Sequence, residues 1–174
     1  MVEAVTPYLE QLKVEAHPAL REMLKRRIEE VKAFFFIATA VECPNLIMDS
    51  PGYGLDLIIQ RMVGINTYSL NILYGEFGTG TTTPALTDTA LTTPTNRAAV
   101  GFQQDYGSTD AIVQFFFSDS QLANQTYNEF GTFVDGTSTI GTGQLFNHAL
   151  ISPGYTKVAG QDTTVECDFL IANS

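Results

Sequence analysis

After residue 64 the chain repeats one pattern, in which a short apolar or alternating run is followed by a turn that contains glycine. Residues 68–74 alternate large apolar side chains with mostly polar ones, which is the two-residue period of a half-buried strand, predicted to end at Gly75. Further strands are predicted at residues 98–102, 111–117, 126–133, 145–150 and 165–171. Glycine turns are predicted at 105–108, 135–136, 141–143, 153–154 and 159–160. About six short strands at about ten-residue spacing predict a mainly β fold, an antiparallel β-sandwich of the jelly-roll type.

A helical pattern precedes these strands. Apolar residues recur every three or four positions and therefore share one stripe of a helix: Leu20, Leu24, Ile28, Val31 and Phe35. A second, short helix is predicted at residues 55–63, ended by Gly64. We therefore expect an N-terminal α-helical arm or docking segment over residues 1–50, and a β-sandwich domain with this short leading helix over residues 51–174. The stripe either packs on its own domain or docks on a neighbouring subunit, and the pattern fits both.

The charge is divided unevenly between these two parts. The chain carries 19 acidic and 9 basic residues, a net charge of −10, and only 16% of its residues are charged. Residues 1–32 contain six basic and six acidic side chains, so the rest of the chain, with three basic and 13 acidic residues, carries all of the net charge. Such an acidic body repels phosphate, and we expect no nucleic-acid partner.

Cysteine content and hydropathy predict where the protein is made. Cys43 and Cys167 are too few for a disulfide framework or a cysteine zinc site, and are expected to be ordinary buried thiols. The N-terminus has no basic and apolar signal pattern, so we expect assembly in a cytoplasm-like compartment. The longest uncharged apolar stretch, residues 33–41, is far too short for a bilayer span, and we expect no membrane partner.

The sequence contains no recognisable catalytic constellation. His17 and His148 stand outside any metal-binding or catalytic spacing and are expected to be structural. Residues 75–80 are weakly similar to a dinucleotide-binding fingerprint, but Thr83 stands where its third glycine is required. The body's dispersed aspartates are expected to form a solvated face: Asp105, Asp110, Asp119 and Asp135. We therefore expect no catalytic residue, no cofactor and no metal ligand.

Two uncharged segments are candidates for protein contact. Nine of the 17 residues from 79 to 95 are threonine, with two prolines and a single charge, so this segment is predicted to be a loop that can order against a protein surface with little charge desolvation. Its candidate contact residues are Thr81, Thr82, Thr83 and Pro84. In a strand, Phe116 faces away from Phe115 and Phe117 and also needs cover. A solvent-facing loop on a monomer is the alternative.

Two blocks of the chain resemble a known group of proteins. The first contains the short helix 54–64, the strand 71–75 and a Gly-Thr-Gly-Thr-Thr-x-Pro-Ala-x-x-Asp-Thr-Ala-Leu loop at 78–91. The second comprises residues 129–133, 143–149, Lys157 and 165–169. Together they resemble structural proteins of tailed bacteriophages, of the head decoration, tail, baseplate or fibre-attachment type, from residue 54 to the end.

The resemblance implies a non-enzymatic virion protein, made in the host cytoplasm. It would assemble with itself, with a trimer as first guess, and with other virion proteins such as capsid or tail subunits. The helical stripe and the threonine loop would make these contacts. A carbohydrate- or host-receptor-binding module is the alternative, with Tyr53, Tyr106, Tyr127 and Tyr155 near turns where they could stack on sugars. A glycosidase using Asp105 and Asp135 is a third hypothesis.

Overall fold

The computed structural model describes residues 43–105 and 109–170. This part of the chain contains one helix, α1 (Gly54–Met62). Its strands are β1 (Asn45–Ile47), β2 (Ile72–Gly78), β3 (Pro94–Asp105), β4 (Asp110–Phe117), β5 (Thr126–Val134), β6 (Gln144–Thr156) and β7 (Thr163–Leu170). The predicted helical stripe Leu20, Leu24, Ile28, Val31 and Phe35 lies outside the described residues.

The seven strands form one antiparallel sheet in the order β1-β6-β5-β2-β3-β4-β7, curled into a half-barrel. The long strand β3 changes partner along its length, pairing with β2 up to Ala99 and with β4 from Val100 onward. The register shifts between Val100 and Phe102, where a bulge increases the local twist of the sheet. The prediction of a mainly β, antiparallel body is confirmed. Its finer part, two facing sheets of a jelly-roll sandwich, is not.

An aromatic cluster fills the concave side of the sheet. Phe77 of β2 lies at its centre, with ring centroids 5.1 Å from Phe117, 4.9 Å from Tyr127 and 5.0 Å from Phe130. Phe115 and Phe117 are fully buried and Phe116 is 52% exposed, as the two-residue period predicts. The curled sheet therefore buries one face in an aromatic core. On the other face a second apolar cluster includes Leu91 and Phe133, while Phe116 is exposed.

Two strand boundaries differ from the sequence prediction. Residues 68–71 are not strand, because Leu70 has a positive φ of 63° and the backbone turns there. The strand instead passes through Gly75, where a Cβ would meet the rings of Phe130 and Phe115, so this glycine makes room for the core and does not end the strand. The predicted turn at 153–154 lies within β6, where the register against β5 shifts and the strand bulges.

The helix α1 and the strand β1 both lie against β6. Helix α1 agrees with the prediction for residues 55–63; Leu57 is buried against Val134 and Phe146. Strand β1 was not predicted, since three residues are too few to show a period. It pairs with β6, so the sheet begins before the domain boundary predicted at residue 51.

Candidate functional site

The threonine-rich segment forms a loop, residues 79–93, between β2 and β3. The candidate contact residues Thr81, Thr82 and Thr83 are exposed, and Pro84 is half-buried. The loop's one charged residue, Asp88, turns back toward the sheet. The outer surface of the loop therefore presents hydroxyl and methyl groups without charge.

A buried carboxylate on β5 fixes both ends of this loop. Glu129 is fully buried, and its Oε1 accepts hydrogen bonds from the backbone N–H of Gly80 at 3.0 Å and of Thr93 at 2.7 Å. Its Oε2 accepts one from the N–H of Thr92 at 2.9 Å. Three backbone donors compensate for the removal of the carboxylate from water, so the charge holds the loop ends to the sheet.

His148 on β6 connects the same carboxylate to the middle of the loop. Its Nε2 lies 3.1 Å from Glu129 Oε2 and its Nδ1 lies 2.9 Å from Asp88 Oδ2. In the imidazolium form the ring donates to both carboxylates. His148 is 1% exposed. Its buried ring therefore links the buried Glu129 carboxylate to the partly exposed Asp88 carboxylate, and the three residues form the Asp88–His148–Glu129 network.

Gly78 and Gly80, which suggest a dinucleotide fingerprint, leave space for the side chain of Glu129. A Cβ on Gly78 or Gly80 would overlap the Glu129 carboxylate. The segment is strand and loop rather than a turn into a helix, so it offers no helix N-terminus to a phosphate. Because Gly78 and Gly80 have no Cβ, the Glu129 carboxylate fits between the two ends of the loop. This role of the glycines was not predicted from the sequence.

A buried ion pair holds the loop between β5 and β6. Arg97 of β3 pairs with Glu76 of β2, and both side chains are almost fully buried. Arg97 Nη2 donates to the carbonyl of Thr142 at 2.7 Å, and Glu76 accepts from the N–H of Gly141 at 2.7 Å. The guanidinium also lies between the rings of Tyr74 and Phe133, 4.3 Å and 4.7 Å from their centroids.

Lys157 anchors a third region. Its buried Nζ donates to Asp119, to Asn124 Oδ1 at 3.1 Å and to the carbonyl of Val158 at 3.1 Å. The hydrogen bond from Lys157 holds the pKa of the half-exposed Asp119 carboxyl below its ordinary value, and the N–H of Gly160 at 2.9 Å acts in the same direction. In each of the three sites a buried charge holds a loop on the sheet.

The other candidate contact residue, Phe116, lies on β4 rather than on the threonine loop. Phe102 of β3 is 43% exposed and faces Gln114, the residue two positions before Phe116. Phe102 and Phe116 therefore lie diagonally on the same outer face of the sheet. They form a second exposed area, which is apolar.

A third exposed area was missed at the sequence level. On α1, Leu55, Ile59 and Met62 are 45%, 55% and 77% exposed, and they share one helical stripe. Val63 and Ile65 extend this area beyond the helix, with 67% and 49% exposure. The helix is thus apolar on two faces. The apolar pattern of residues 55–63 predicts a helix, but it does not show which apolar side chains stay exposed to solvent.

The acidic residues of the described ranges were considered as metal ligands or as a catalytic pair at the sequence level. Within the described ranges, no group of three or more His, Cys, Asp or Glu side chains is placed to hold a metal ion. The hydrogen bond between the Asp168 and Asp110 carboxyls favours protonated Asp168 and raises the pKa of this exposed group, with burial and nearby negative charge adding to the effect. Asp135 accepts hydrogen bonds from the N–H and hydroxyl of Ser69, so it holds a turn.

The tyrosines proposed as a sugar platform are mostly part of the core. Tyr127 is fully buried and stacks on Tyr155 with centroids 6.5 Å apart. Tyr155 also stacks on Phe77 at 6.1 Å. Tyr53 packs against a core cluster, and Tyr106 lies outside the described residues. The turns near these tyrosines therefore do not place Tyr127 where a sugar could stack.

Comparison of the chain with family models, with curated proteins and with solved structures gives no match. In the part of the chain that the structure describes, no helix is long and apolar enough to cross a membrane.

Proposed function

We propose that this protein is a non-enzymatic structural component of a tailed bacteriophage virion. It assembles with itself, as a trimer in the simplest arrangement, and with capsid or tail subunits. The observation that carries the proposal is the threonine loop, an exposed and uncharged surface fixed at its ends and centre by the Asp88–His148–Glu129 network. The resemblance to phage structural proteins includes both the loop and residues 129–133 and 143–149, and it is these segments that meet in the network.

Rigidity is the property of the loop that supports a contact role. Binding orders the side chains and loops at an interface, and this ordering opposes association. A loop already held by buried hydrogen bonds loses less freedom when a neighbour docks on it. The absence of exposed charge also lowers the desolvation cost, because hydroxyl groups are easier to desolvate than ions.

The exposed stripe of α1 supports self-association. Contiguous apolar patches are uncommon on monomers and usually mark contact sites. Leu55, Ile59 and Met62 form such a patch beside Val63 and Ile65. Charged residues there, Asp56 and Arg61, are bonded within the chain and leave the stripe itself uncharged.

Light scattering on the purified chain, together with mass spectrometry of intact virions, tests the proposal. We expect a homo-oligomer in solution and the chain in particles. The variants Ile59→Glu and Thr82→Lys place a charge on the α1 stripe and on the loop, and we expect each to weaken assembly by at least tenfold while the unfolding midpoint changes little.

Val158→Glu is the matched control, since Val158 is an exposed apolar residue, 50% exposed, in the segment between β6 and β7 and in neither proposed contact surface. It should assemble like the natural chain. A monomer that is absent from particles would overturn the proposal. Binding of the isolated protein on a glycan array would favour the carbohydrate-binding alternative instead.

A further inference from the structure

The two cysteines lie at opposite edges of the curled sheet. Cys43 comes two residues before β1, the strand at one edge, and Cys167 is within β7, the strand at the other edge. Cys167 is 7% exposed and belongs to the aromatic core cluster. Cys43 is half-buried and packs against that same cluster. The two thiols are 124 positions apart in sequence, yet both contact the same core cluster.

The curl of the sheet brings these edges toward each other. Phe146 of β6 and Phe169 of β7 make an edge-to-face contact with centroids 5.6 Å apart. A groove of about 890 Å³ lies between the edges. Cys43 lines one side of it, and Val113 and Phe169 line the other; Val113 is the cross-strand partner of Cys167. The groove therefore lies on the open side of the half-barrel.

Burial makes both thiols slow to react with oxidants. Burial raises the pKa of the Cys43 thiol. Burial, followed by the effects of Cys43 and Glu166, raises the pKa of Cys167 to about 12. Because the thiolate is the reactive form, both cysteines remain thiols at neutral pH in a reducing medium. Cys43 is the more exposed of the two and is the one that a small oxidant reaches.

We propose that Cys43 and Cys167 form an intramolecular disulfide in an oxidising medium, and that this bond clasps the two edges of the half-barrel. With oxidised glutathione as the oxidant, the Cys43 thiolate attacks one sulfur of the glutathione disulfide and releases one glutathione thiolate. The Cys167 thiolate then attacks the Cys43 sulfur of the mixed disulfide and releases the second. Two protein thiols lose two electrons and two protons, and one glutathione disulfide becomes two glutathione thiols.

The clasp would enclose nearly the whole sheet. A bond from residue 43 to residue 167 restricts the unfolded chain across every strand from β1 into β7, and long enclosed loops give the larger stabilisation. It would also narrow the groove between the edges. This inference does not depend on a virion role, since it concerns the body alone.

The test uses the full chain, folded, in glutathione buffers of increasing oxidised fraction, followed by alkylation and peptide mass mapping. We expect a Cys43–Cys167 linked peptide, two hydrogens lighter than the two reduced peptides, at a yield independent of protein concentration. The oxidised protein should have a higher urea midpoint than the reduced protein. Reduction should restore the original midpoint.

Single variants separate the two chemical steps. In Cys167→Ser, glutathione should remain attached to Cys43, because no second thiol displaces it. In Cys43→Ser, Cys167 should react much more slowly than Cys43 does. Two results would overturn the proposal, provided that the natural chain is still folded by circular dichroism. In one, glutathione stays on Cys43 and is not displaced by Cys167. In the other, disulfides form only between two molecules.

Discussion

At the scale of single residues, three buried charged side chains hold loops of the body in place. Glu129, Glu76 and Lys157 are each almost fully buried, and each bonds to backbone groups of a loop. A buried ion is tolerated only where hydrogen bonds replace its water. These residues therefore contribute through the loops that they fix rather than through the attraction between opposite charges alone.

Removing the charge of Glu129 tests this view. In Glu129→Gln one carboxylate oxygen becomes an NH₂ group, which faces backbone donors and cannot accept from them. We expect the free energy of unfolding to fall by about 3 kcal/mol, the cost of leaving buried backbone donors unsatisfied. Urea denaturation followed by circular dichroism measures this loss, and amide exchange at Gly80, Thr92 and Thr93 should become faster.

Glu166→Gln is the matched control for this change. Glu166 is exposed on β7 and accepts one side-chain hydrogen bond from Gln114 at 2.6 Å. Its replacement should alter stability by no more than about 0.5 kcal/mol. Equal losses in the two variants would show that Glu129 does not hold the loop as described.

At the scale of elements, the segment around residues 118–124 depends on a bond that is sensitive to acid. The pKa of Asp119 is lowered in the folded protein by Lys157. A carboxyl whose folded pKa is depressed contributes stability above its unfolded pKa, and this contribution is lost as the pH falls through the folded value. The contribution is therefore present at neutral pH and decreases below about pH 4.

Lys157→Met should remove this part of the acid dependence. We expect the free energy of unfolding of the variant to fall less steeply than that of the natural chain as the pH drops below about 4. Asp119→Asn, which removes the titrating group itself, should flatten the curve in the same way. Arg61→Met loses the same charge at an exposed site and should keep the natural slope; parallel acid curves for all four proteins would contradict the assignment.

Elements with a clear period could be predicted from the sequence, and contacts between distant residues could not. The apolar run at 111–117 and the short segment at 55–63 that ends before Gly64 correctly predicted β4 and α1. Gly75 and Pro153 were misinterpreted as strand breakers because their local chemistry is that of turns, while the core and a bulge decide their roles. Local patterns could not show that Glu129 meets Gly80, 49 positions away.

At the scale of the whole molecule, the net charge of −10 acts against self-association. Copies of an acidic body repel one another, and this repulsion extends about 30 Å at 0.01 M salt but only about 8 Å at 0.15 M. If the uncharged loop and the α1 stripe make the contacts, added salt removes repulsion and leaves the contacts intact. We expect assembly of the chain to strengthen with salt.

Light scattering across a dilution series at low and at physiological salt measures this effect. The concentration at half-assembly should fall as salt is added, and Ile59→Glu should show a larger dependence because it adds charge at the contact. Assembly that weakens with salt would indicate that opposite charges hold the subunits together, and would contradict the contact surfaces proposed here.

The strand order also determines when the body can be completed during synthesis. Neighbours in sequence pair within β2-β3-β4 and within β5-β6, but β1 pairs with β6 and the outer edge of β4 pairs with β7. Strand β1 therefore waits for β6, and the outer edge of β4 is covered only when Thr163–Leu170 emerges. A nascent chain that stops before Thr163 exposes the edge of the strand carrying Phe115 and Phe117, and its expected fate is aggregation.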